Sequence, residues 1–144
     1  MNNERKTVRL YHFTSTRYIS SIAERQALLP SESNIGSPTE GFEPFGEHYA
    51  PDVVWLTNKQ YNDGTLGLEG SALDKGAVRY TVEIPDDEAH HWPEWSRKHG
   101  MNETWRRAFE GTGDPDSWYV VERPISRKEF VAVEILPNKD AAYV

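Results

Sequence analysis

Apolar residues return along this chain with two different periods. In Val8-Arg9-Leu10-Tyr11-His12-Phe13 the period is two. That predicts a first strand with Val8, Leu10 and His12 on one face and Arg9, Tyr11 and Phe13 on the other. Ser15 or Thr16 can cap a helix, and Ile19, Ile22 and Ala23 then stand at helical spacing. They predict a helix to about Ala27 with those three side chains toward the core. Val53-Val54-Trp55-Leu56-Thr57 is a short apolar run, predicted as a buried second strand. Val78, Tyr80, Val82 and Ile84 alternate with polar residues as far as Pro85, the mark of a half-buried third strand. Pro93 opens a short helix that closes at Gly100. Another helix is predicted from Asn102 to about Glu110, with Met101, Trp105, Ala108 and Phe109 along one side. Trp118 to Val121 begins a fourth strand and Phe130 to Leu136 forms a fifth.

The segments between these elements are of two kinds. Residues 31–52 are rich in Ser, Gly, Pro and Glu and predict a long loop, with Phe42, Phe45 and Tyr49 as its anchors. The stretch holding Gly64, Gly67, Gly70 and Gly76 carries neither phosphate-loop signature, so it is read as a flexible loop. Strands and helices do not alternate regularly, which argues against a doubly wound parallel sheet. The expected fold is a single α+β domain over residues 1–144. It is built on a mixed or antiparallel sheet, split into two halves, with two to three helices.

Composition narrows the functions open to such a domain. Asp and Glu outnumber Lys and Arg by 23 to 16, a net charge of −7. That argues against a broad surface for duplex nucleic acid and leaves room for a small basic pocket. The absence of cysteine excludes disulfides and thiolate chemistry, and it fits a cytoplasmic protein. No segment reads as a signal peptide or membrane span. His90, His91 and His99 match no metal-binding spacing and are read as a solvated cluster, so no metal is expected. Asp86, Asp87 and Glu88 are read as a solvated turn. Trp92 and Trp95 are assigned to the core, with a partner surface as the other reading.

The most informative segment is Leu10-Tyr11-His12-Phe13-Thr14-Ser15. A histidine near a strand end, followed by hydroxyl residues and a helix start, can form one wall of a cleft. His12 can then donate to a ribose hydroxyl, and Thr14 can bond the same sugar. The other reading of the same residues is a core histidine satisfied by backbone, with Thr14 or Ser15 capping the helix.

This segment, with Ala27-Leu28-Leu29-Pro30-Ser31 after its helix, resembles the opening motif of the ADP-ribosyltransferase superfamily. It is nearest in look to the DNA-targeting toxin and RNA 2′-phosphotransferase branches. Val53-Val54-Trp55-Leu56-Thr57 is similar to the second motif, and Trp118 to Leu136 to the closing strands. The resemblance implies a mono-ADP-ribosyltransferase of toxin, phage-effector or defence type, using NAD on a protein or nucleic-acid acceptor. The alternative is a non-catalytic nucleotide-binding or partner-inhibiting protein of the same fold. It implies NAD contacts from His12, Thr14, Arg17, Thr57 and Tyr61, the last stacking on nicotinamide. The catalytic carboxylate of the pattern falls near Trp118, which is not acidic. Glu122, on the same strand face, is the candidate in its place, beside His12. Arg17 is otherwise an exposed helix arginine and Glu122 an ordinary strand-end carboxylate. The acidic balance of the chain disfavours RNA 2′-phosphate transfer.

Overall fold

The computed structural model describes residues 6–30, 53–66, 76–111 and 113–136. Phe42, Phe45 and Tyr49, the expected loop anchors, lie outside these residues. So do Gly67 and Gly70, and the side chains of Trp105, Ala108 and Phe109.

The alternating opening segment forms β1 (Thr7–Thr14). Ser15 accepts a hydrogen bond from the Arg17 N–H and caps a 3₁₀ turn at Thr16–Tyr18, which leads into α1 (Ile19–Arg25). Gln26 ends α1 in the left-handed conformation, one residue short of the expected Ala27. Ile22 is buried, while Ala23 is exposed instead of facing the core. The remaining elements follow in order. They are β2 (Ala27–Leu28), β3 (Val54–Thr57), β4 (Val78–Pro85), β5 (His90–His91), α2 (Trp92–Lys98), α3 (Glu103–Glu110), β6 (Trp118–Val121), β7 (Ile125–Ser126) and β8 (Phe130–Ile135). The helix at Pro93 stops before Gly100, whose φ of 68° turns the chain toward α3. The short strands β2, β5 and β7 carry only two residues each, too few to show a period in the sequence.

Six strands form one antiparallel sheet in the order β5-β6-β3-β1-β4-β8, and β2 pairs with β7 beside it. The architecture is therefore α+β with an antiparallel sheet. Apolar clusters lie on both of its faces. On the α1 face, Leu10, Val54, Leu56, Tyr80, Val82, Ile84 and Val121 pack with Ile22, Leu28 and Ile125. On the opposite face, Val53, Trp55, Trp118 and Val120 pack with Trp92, Trp95 and Met101. Trp55 meets Trp92 at 4.8 Å and Trp118 edge-on at 6.2 Å. Trp92 and Trp95 thus belong to the core. The Trp92 indole N–H also donates to Glu110 and ties α2 to α3. Because both faces are covered, β4 is not half-buried as its alternation suggested. Arg79 and Thr81 are buried with their apolar neighbours, and Glu83 is the exposed exception.

Candidate functional site

The antiparallel ladder is uneven at its centre. β1 and β4 share eight registered pairs, from Thr7 with Pro85 to Thr14 with Val78. Between β1 and β3 the described register is the single pair Tyr11 with Thr57. The sheet therefore has a seam, with β1, β4 and β8 on one side and β3, β6 and β5 on the other. His12 sits at that seam. Its Nδ1 lies 2.8 Å from the Trp55 carbonyl of β3, across the gap. The ring meets Tyr80 edge-on at 6.3 Å and is 6% exposed.

This geometry fixes the protonation of the ring. A carbonyl oxygen can only accept, so Nδ1 carries the hydrogen and donates it. Burial lowers the His12 pKa from 6.5, opposed only in part by the bond to Trp55. The imidazole is accordingly neutral at pH 7, and Nε2 is a bare acceptor with no hydrogen-bond partner among the described residues. The sequence reading had His12 donating to a ribose. The fixed tautomer reverses that role, because Nε2 can only accept. Nδ1 follows the other reading of the same residue, a core histidine satisfied by backbone.

The remaining expected site residues divide between the two faces. Thr14 is buried at the end of β1, with the parity of His12 and therefore on the α1 face. Arg17 is exposed on the 3₁₀ turn that follows. Thr57 is buried on the opposite face, where its hydroxyl accepts from the Lys59 N–H and holds the chain as it leaves β3. Tyr61 lies beyond it, 65% exposed. Glu122 follows β6 with the parity of Trp118 and Val120, as the alternation predicted, so it is carried to the tryptophan face. There it accepts from the Trp95 indole N–H at 2.5 Å and lies 3.8 Å from His99 Nε2. The structure does not bring Glu122 to His12.

Glu122 instead lines a groove of about 540 Å³ with Asp86, Asp87, Glu94, Lys98 and His99. His99 stacks on Trp95 at 4.1 Å and donates from Nδ1 to the Trp95 carbonyl. His91 is turned to the Asp116 carbonyl at 2.8 Å. Of the three histidines expected to be solvated, His91 and His99 are thus tied to backbone carbonyls.

Arg79 is the residue that sequence reasoning missed. On an alternating strand it reads as an outward polar position. In the fold it is 5% exposed and spans the seam on the tryptophan face. Its guanidinium donates to the Gln60 carbonyl at 2.6 Å and to Glu134 at 2.9 Å, and it stacks over the rings of Tyr61 at 5.0 Å and Tyr11 at 6.0 Å. The only sequence signal was a lone arginine among the apolar residues of β4.

Comparison with family models, with curated proteins and with solved structures finds no match.

Proposed function

We propose that this chain binds NAD or a closely related nucleotide at the β1–β3 seam, as an ADP-ribosyltransferase-like protein. The observation that carries the reading is His12. It is a neutral imidazole, pinned at Nδ1, with Nε2 left as an acceptor on the strand that the motif resemblance singles out. A ribose hydroxyl is the natural donor to such an atom. Thr14, two residues on and on the same face, supplies a hydroxyl that can both donate and accept. Arg17 follows on the first turn as an exposed cation for a phosphate.

In the first reading the activity served is transfer of ADP-ribose to a protein or nucleic acid. In that reaction the bond from ribose to nicotinamide breaks and the ring leaves with its electron pair. An acceptor nucleophile then bonds the sugar carbon and gives up its proton. A carboxylate that steadies the cation-like sugar belongs to such a site. The position of Glu122 favours the second reading, binding without turnover, because Trp95 holds that carboxylate on the far face. Incubation with labelled NAD and a cell lysate separates the two. Label carried onto macromolecules supports transfer, and saturable binding with no label carried over supports the second reading. Glu122→Gln is expected to leave both transfer and binding within about twofold of the parent, as befits a group outside the site. Loss of transfer in that variant would return Glu122 to the catalytic role the sequence suggested.

A further inference from the structure

The segment after β3 is braced far more heavily than an ordinary surface turn. Lys59 pairs with Asp63 at 2.8 Å and with Asp114 at 3.0 Å. Asn62 and Asp63 side chains accept from the Gly64 and Thr65 N–H groups. The Thr65 carbonyl accepts from both the Trp118 indole and the Asp114 N–H. This rigid frame presents one large aromatic ring to solvent, Tyr61 at 65% exposure. One face of that ring rests on the Arg79 guanidinium. Burying an arginine against a sheet is costly unless its donors are met, and here Nε is buried with no hydrogen-bond partner among the described residues. The balancing carboxylate, Glu134, is itself half exposed. Fixing a ring in advance lowers the ordering cost of a partner that stacks on it.

The charge behind the ring decides which partner. A guanidinium against one face draws on the ring's quadrupole, so the outer face is poor for a cation and good for a neutral, electron-rich ring. We infer that Tyr61 is a stacking platform for a neutral purine, with Arg79 as its positioning residue, and that it is not the seat of the cationic nicotinamide. The purine is the adenine of the dinucleotide or the base of a separate nucleotide. The first source rests on the proposed NAD reading; the second does not.

The test measures dissociation constants by calorimetry for AMP, oxidised nicotinamide mononucleotide and NAD. The proteins are the parent, Tyr61→Ala, Tyr61→Phe, His12→Asn, Arg79→Lys and Arg79→Met. Tyr61 is exposed, so its variants keep the fold even where an Arg79 variant does not. AMP is expected to weaken about tenfold in Tyr61→Ala, as loss of one base–aromatic stack implies. It should be unchanged in Tyr61→Phe. NAD weakening in step with AMP in Tyr61→Ala assigns the purine to the dinucleotide, and AMP weakening alone assigns it to a separate nucleotide. Arg79→Lys should retain AMP affinity and Arg79→Met should lose it while gaining for nicotinamide mononucleotide, a reversal that a merely structural arginine would not produce. AMP that fails to bind the parent, or that binds Tyr61→Ala equally well, overturns the inference. So does a dependence on Tyr61 seen with nicotinamide mononucleotide instead of AMP. Loss of NAD affinity in His12→Asn alongside AMP binding blind to Tyr61 would leave the seam reading standing and remove this one. The converse pattern would do the opposite.

Discussion

At the residue scale, the decisive feature is one imidazole whose two nitrogens have different duties. Nδ1 donates to a backbone carbonyl of the neighbouring strand, and Nε2 is left to accept. The sequence made His12 visible because it stands in an alternating strand just before hydroxyl residues and a helix start. It did not reveal the tautomer, because the partner atom is a backbone carbonyl 43 residues away, outside any local pattern. The same burial makes a prediction about acid. Protonating the folded ring costs more than protonating the unfolded one, so the folded pKa lies below 6.5. Well above pH 6.5 neither state binds the proton. As pH falls through about 6.5 the unfolded chain takes it up first, and stability is lost until the folded pKa is reached. Denaturant melts between pH 8 and 5 should show stability declining as pH falls, with at most about 1.4 kcal/mol per pH unit from this group. His12→Asn should remove that share of the slope. An unchanged slope in the variant would mean that the ring is not neutral in the fold.

At the element scale, periodicity carried most of the information. The long strands β1 and β4 and the helices α1, α2 and α3 follow from spacing, and their ends follow from Ser15, Pro93 and Gly100. The two-residue strands had no period to offer and are defined by their partners, β2 by β7 and β5 by β6. Arg79 escaped because alternation reports a half-buried strand only when one face is solvated, and here helices and loops cover both. The end of α1 offers a direct check on this level of the account. Gln26 occupies a left-handed position at φ 57°, where a Cβ is penalised. Its side chain is exposed. Its backbone carbonyl, which accepts from the Arg127 N–H, needs no side chain. Gln26→Gly should therefore stabilise the protein by about 1 kcal/mol in thermal or denaturant unfolding. A loss of stability would show that the side chain has a packing role the fold does not assign to it.

At the scale of the whole molecule, the seam organises everything else. Two three-stranded halves meet where β1 runs beside β3, and few backbone pairs join them. Side chains complete the junction, His12 toward β3 on one strand edge and Arg79 over Tyr11 to Gln60 and Tyr61 on the tryptophan face. An α+β fold on a mixed or antiparallel sheet was legible from the lack of regular strand–helix alternation, and the ladder resolves it as antiparallel. The assignment of residues to faces was legible only in part. His12 was placed on its strand correctly and Glu122 falls one residue past the end of β6, but which side of a shared sheet each strand turns depends on register across the seam. Across the seam the described register rests on the pair Tyr11 with Thr57, which single-strand alternation does not contain. Among the described residues no helix is long and apolar enough to cross a membrane. The central claim is that Nε2 of His12 receives a nucleotide. Asparagine at position 12 can keep the donor to the Trp55 carbonyl while removing that acceptor, so it isolates one atom. Titration of NAD into the parent and into His12→Asn, with circular dichroism confirming an intact fold, tests it most directly. The account predicts saturable binding by the parent and at least about tenfold weaker binding by the variant. Equal affinity in the two proteins, or no heat of binding in the parent, would contradict it.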